Sequence, residues 1–150
     1  MFARLEELEE ELAGLQEDKP LSDKPFAYTV TSDKSFAEAV AAVEAQCAEK
    51  NFGVQHIHDV QATMAGKGYE IEPLKIIEVC NIKYAYQVLS KDILIALMMP
   101  CKINVYTRAG KTYITALRPT VLADFFPEDG LDEVAAEVDS RITAIVDGAR

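Results

Sequence analysis

Apolar residues recur along this chain at two spacings, and each switch between them marks a new element. Phe2, Leu5, Leu8, Leu12 and Leu15 fall three to four apart among glutamates, which predicts an amphipathic helix with one narrow stripe. The stretch 18–25, with Pro20 and Pro25 and no periodicity, reads as a linker. From Phe26 the pattern alternates to Thr31, predicting a strand. Ser35 with Glu38 three residues on forms a capping box, and Phe36, Val40, Val43 and Cys47 then share one helical face that stops between Asn51 and Gly53. A second strand is predicted over 53–64, ended by Gly66 and Gly68, and a third over 74–80 after Pro73. Asn81 can cap a helix over 82–91 with Tyr84, Ala85, Val88 and Leu89 inward. The chain is then almost wholly apolar from Ile93 to Met99, kinks at Pro100 and alternates to Arg108; Ala109-Gly110 turns it into a hairpin strand over 111–117. Leu131, Val134, Ala135, Val138, Ile142 and Ile145 mark a closing helix. Two helical stripes facing one mostly antiparallel sheet predict an α+β two-layer sandwich in β-α-β-β-(α)-β-β-α order, helices on one face, preceded by the N-terminal helix.

Composition sharpens this picture in two ways. With 150 residues, 49% of them hydrophobic, the chain is long enough to bury a core, and the expected division is an acidic arm and linker over 1–24 and one α+β domain over 25–150. The net charge is −10, and residues 1–24 hold eight acids against three bases, so half the excess sits in the arm. No stripe of Lys and Arg exists to hold phosphates, which argues against nucleic acid as a partner. The N-terminus shows no secretory signal, and the longest apolar run is too short to span a bilayer, so no membrane partner is expected. Cys47, Cys80 and Cys101, an odd number without a CxxC spacing, are not a disulfide framework and suit a reducing cytoplasm.

The chemistry-bearing side chains concentrate in the most apolar third. Cys80 ends a strand directly before a helix start, where unpaired amides and the helix dipole would lower a thiol pKa; it is the candidate nucleophile or soft ligand. Cys101 shares strand parity with Ile103 and Val105 and points inward. If neighbouring strands bring the two thiols together, a redox pair or a soft-metal site results, and Met99 could add a thioether for Cu(I) or haem. His56 and His58, two apart, project from one face and make half a zinc or iron site, for which Asp59 on the opposite face and the distant cysteines are the candidate third ligands. Arg118 before Pro119 is placed to hold an anion, with Tyr84, Tyr86, Tyr106, Tyr113, Lys83 and Lys102 as further pocket candidates. Phosphate-cradling glycine loops, a nucleophile elbow and HExxH are all absent, which argues against nucleotide, hydrolase or zinc-protease chemistry.

The segments Phe52-Gly-Val-Gln-His-Ile-His-Asp59, Glu78-Val-Cys-Asn81, Leu97-Met-Met-Pro-Cys101 and Gly110-Lys-Thr-Tyr-Ile114 resemble the small bacterial and archaeal family called domain of unknown function 302, over roughly residues 25–150. The family often follows Cys-Asn with Pro, where this chain has Ile82. The resemblance implies a fold similar to half of a TATA-binding protein, usually packed as a homodimer, with no established activity. Taken together, the residues and the resemblance suggest a small-molecule-binding, redox- or metal-sensing module with a pocket near Cys80 and Cys101 and ligand candidates Asn81, Arg118, His56 and His58. The alternatives are a protein-interaction homodimer with packing cysteines, and a thiol-dependent enzyme using Cys80 with His56 or His58 as base. No particular cofactor is indicated.

Overall fold

The computed structural model describes Arg4, Leu5, Glu7, Leu8 and residues 24–150. Arg4, Leu5, Glu7 and Leu8 are helical, with Arg4 and Glu7 paired at 3.4 Å. Phe2, Leu12 and Leu15 of the predicted stripe, and nearly all of the predicted linker, lie outside the described residues.

Five strands, β1 (Ala27–Ser32), β2 (Gly53–Asp59), β3 (Leu74–Cys80), β4 (Cys101–Arg108) and β5 (Lys111–Leu117), form one antiparallel sheet in the order β1-β5-β4-β3-β2. The first two strands of the chain are thus its two edges, and helix α1 (Phe36–Glu49) crosses the sheet between them. Its start follows from local chemistry: Glu38 N–H donates to Ser35 Oγ at 3.2 Å, and Ser35 Oγ donates back to the Glu38 carboxylate at 2.8 Å. Its end is also encoded, because Asn51 takes φ 61° and lets Phe52 N–H reach the Cys47 carbonyl at 2.8 Å, closing the last turn. The closing helix α5 (Asp132–Ala149) lies beside α1, and both cover the same face of the sheet.

That face holds the core. Ile77, Ile103 and Ile114 from the sheet, Val43 and Cys47 from α1, and Ile142, Ile145 and Val146 from α5 are fully buried together. Strand parity accounts for the choice, since Ile77 pairs with Ile103, and Val105 with Ile114, so these side chains share one side. The hairpin between β4 and β5 is a two-residue turn in which Ala109 and Gly110 take φ 51° and 79°, the left-handed geometry that matches strand twist.

Three segments differ from the periodicity reading. The predicted strand over 53–64 stops at Asp59, because the Asp59 carboxylate accepts Ala62 N–H at 3.0 Å and starts the short helix α2 (Val60–Ala65). The apolar run after Asp92 is a 3-10 helix (Ile93–Met98), capped by the Asp92 side chain on Leu94 N–H at 2.9 Å. Another short helix, α4 (Val121–Phe125), follows β5 without a side-chain cap and carries no periodic signal of its own. Helix α3 (Ile82–Leu89) starts at Asn81, and a second small core of Val88, Ile95 and Leu131 ties it to the 3-10 helix and to the start of α5.

Candidate functional site

The candidate residues cluster by strand register into two groups on opposite sides of the sheet. Val79 pairs with Cys101, and Val79 is fully buried, so Cys101 faces the core and packs against it. Cys80, one residue on, faces the other way, with Gly53 as its cross-strand partner. The two thiols are therefore on neighbouring strands and point to opposite faces by register, near enough for Cys80 to act on Cys101, and all three cysteines are free. The expectation of a shared two-cysteine site gives way to this parity: neighbours one register apart in antiparallel strands point to opposite faces.

Electrostatics act against thiolate chemistry at each cysteine. Burial pushes the Cys101 thiol up to about 11, with the nearby Cys80 adding to the rise and Lys102 opposing it. Burial likewise takes Cys47 to about 11. Cys80 is partly exposed, but burial raises its pKa as well, the reverse of the lowering expected at a helix start. Asn81 caps the helix that follows. Its Oδ1 accepts Tyr84 N–H at 3.2 Å and its Nδ2 donates to the Asn51 carbonyl at 3.0 Å, so the cap residue itself takes up a free helix amide that a thiolate would use. Asn81 is a structural tie between α3 and the end of α1.

The second group lies on the open face. His56 and His58 project together, their rings in edge contact with centroids 4.4 Å apart. His58 Nε2 is bonded to the Glu78 carboxylate. That bond is the main reason the Glu78 carboxyl titrates below the usual carboxylate range; burial opposes the shift, and the charges of His58, Lys102 and His56 add to it. Glu78 pairs across the strand with Lys102. The dyad lies on the surface, and burial alone sets the direction of the Cys80 thiol. Among the described residues, no group of three or more His, Cys, Asp or Glu is placed to hold a metal ion. Asp59, read as a possible third ligand, is spent as the cap of α2.

Arg118 is not free for a ligand. Its Nε and Nη2 donate to the two oxygens of Asp139 at 3.1 and 3.0 Å, and its guanidinium lies 5.7 Å from the Tyr28 ring centre. Asp139 is 7% exposed, so this bidentate pair holds β5 to α5. The tyrosines read as pocket candidates are likewise spread over the molecule. Tyr84 donates to Glu137 at 2.7 Å on the helical side, whereas Tyr106 and Tyr113 stack at 5.6 Å on the open face of the sheet.

Two surfaces stand out that periodicity did not single out as sites. One is an apolar rim: Ile82 and Tyr86 on α3 are 74% and 75% exposed, and Ile93, Leu94 and Leu97 on the adjoining 3-10 helix are 72%, 57% and 84% exposed. A groove of about 480 Å³ between α3 and α5 borders it at Tyr86. The signal was present in the sequence, since Ile82 and Tyr86 stand opposite the buried Tyr84 and Val88, and a six-residue helix can bury only part of an apolar run. The other is a cleft of about 520 Å³ on the open sheet face, lined by Met64, Ile71, Leu74, Asn104, Tyr106 and Thr115 among others. Neither cavity is lined by Cys80 or Cys101.

A family model described as "Domain of unknown function DUF302" matches residues 28–149. The crystal structure of an uncharacterized conserved DUF302 protein from Bacillus stearothermophilus is similar to this chain at 32% identity and a TM-score of 0.80, over 85% of this chain and 100% of that one. No curated protein matches.

Proposed function

We propose, for a chain that belongs to the DUF302 family of domains of unknown function, that its domain is a protein-interaction module that pairs with a second copy through the apolar rim of α3 and the 3-10 helix. The observation that carries this reading is the exposure of five large apolar side chains, Ile82, Tyr86, Ile93, Leu94 and Leu97, on two adjoining helices. Contiguous apolar surface of this kind is rarely left in water by a monomer, and an aromatic flanked by aliphatics is the composition of an interface centre. A second copy is the partner of choice because an isologous contact brings each rim onto its own equivalent, burying apolar surface on both sides at once. The raised thiols and their placement on opposite faces favour cysteines that pack over a redox pair or a thiol nucleophile, and three reduced thiols fit a cytoplasmic location.

The test is the solution mass. Light scattering is expected to give twice the chain mass for the native protein at micromolar concentration, and the chain mass for Leu97→Glu, with both proteins showing the same circular dichroism. Native protein that stays at the chain mass throughout that range overturns the reading.

A further inference from the structure

One side of the sheet is covered by α1 and α5, while the other has no helix of comparable length on it among the described residues. That open side has a definite chemistry. Strands β1, β4 and β5 contain no Asp or Glu, and their charged side chains are Lys102, Arg108 and Lys111; the carboxylates on this side are Glu78 of β3, bonded to His58, and Glu72 in the cleft wall, which accepts from Thr107 Oγ1 and Ala109 N–H. Lys102 shares parity with Asn104 and Arg108, and Arg108 pairs with Lys111, so all three cations project from the open side. Between them lies the cleft of about 520 Å³ with Leu74 and Tyr106 in its wall. Within it the Asn104 Oδ1 is shielded from solvent and has no hydrogen-bond partner among the described residues, an acceptor left without a donor.

The complementary surface exists in the same chain. Residues 1–18 carry seven acids against the single base Arg4, together with the stripe Phe2, Leu5, Leu8, Leu12 and Leu15. Leu5 and Leu8 are helical and remain 52% and 38% exposed. The lengths agree. A helix over 2–16 would be ~22 Å long at ~1.5 Å per residue, enough to cross ~19 Å of sheet, or four strand spacings. The residues 17–24 can span up to ~26 Å, whereas the step from β1 to β4 is two strand spacings, ~10 Å. The segment precedes the family match at residue 28, and the sheet is complete without it.

We infer that the acidic N-terminal segment docks on the open face of its own sheet, the leucine stripe over the cleft at Leu74 and Tyr106 and the acids against Lys102, Arg108 and Lys111. The contact is independent of the rim on α3, so it stands or falls separately from self-association. Its attraction is partly between exposed charges and weakens as salt rises.

Zero-length carbodiimide cross-linking of the full chain, prepared as an equal mixture of 14N- and 15N-labelled protein, tests it. The expected result is peptides joining acids within residues 6–18 to Lys102 or Lys111 in single-isotope pairs. In the variant Leu8→Glu/Leu12→Glu these are expected to fall by roughly tenfold, while hydroxyl-radical labelling of Tyr106 rises by a similar factor. Cross-links confined to mixed-isotope pairs would assign the face to the arm of a second copy and overturn the inference. Absence of these cross-links, unchanged Tyr106 labelling in the variant, or native mass spectra of the purified chain showing a small molecule retained in place of the arm would overturn it equally.

Discussion

At the scale of single residues, environment decides what each candidate can do. Cys47 and Cys101 titrate at about 11 because burial disfavours the thiolate, against an ordinary value of 9.0. At pH 8 only ~0.1% of such a thiol is ionised, and alkylation should accelerate about tenfold per pH unit. Cys80, the partly exposed thiol, is expected to react with iodoacetamide before the other two; equal rates at Cys80 and Cys101 in the native state would contradict the parity argument. Linkage has a definite sign here. A folded pKa above the unfolded one means stability that is present below pH ~9 and is lost as pH rises through about 11, so urea midpoints should decline across that alkaline window. Arg118 gives a second residue-level outcome. Replacing it with Ala leaves the buried carboxylate of Asp139 without its fork, which would cost ~3–5 kcal/mol if fully buried; with Arg118 38% exposed, solvent screening reduces this to ~1–3 kcal/mol in chemical denaturation. Arg118→Lys should recover only part, because an ammonium cannot bridge both oxygens. An arginine kept for a ligand would leave stability unchanged.

At the scale of elements, caps and turns were the most legible features, because their chemistry is local. Ser35 with Glu38, Asn81 with Tyr84, and the Ala109-Gly110 turn are each settled within four residues of sequence. Asp59 belongs to the same class, yet its alternating neighbours His56, Ile57 and His58 extended the strand signal past it. A period of two says where side chains point and carries no stop signal of its own; the stop came from the Asp59 carboxylate on Ala62 N–H. Asn81→Ala is the element-scale prediction. It removes the cap of α3 and the bond to the Asn51 carbonyl, and thermal or urea unfolding should report a loss of ~1–2 kcal/mol. If Asn81 instead served only a ligand, that substitution would leave the unfolding midpoint where it was.

At the scale of the whole molecule, the interest moves away from the cysteines and toward surfaces. The sheet buries one face under α1 and α5 and presents the other with Lys102, Arg108 and Lys111. The helices at its end turn Val88 and Ile95 inward and leave Tyr86 and Leu97 outward. Exposure of that order is what makes Leu97→Glu informative: the substitution changes the apolar rim at a side chain that lies mostly outside the core, so a change in mass can be separated from a change in folding. No helix among the described residues is long and apolar enough to cross a membrane.

By itself the sequence determined the two-layer α+β class, the inward faces of α1, α3 and α5, the caps that start α1 and α3, and the free state expected of an odd cysteine set. These depend on periodicity and on contacts within a few residues, and both are written in linear order. The tertiary structure alone decided which candidates meet. Strand order and register put Cys80 and Cys101 on opposite faces, joined His58 to Glu78 across 20 residues, and closed Arg118 onto Asp139 across 21. It also decided which apolar side chains stay outside, since a stripe in the sequence is buried or exposed only according to what packs against it, and that partner is supplied by elements distant in the chain.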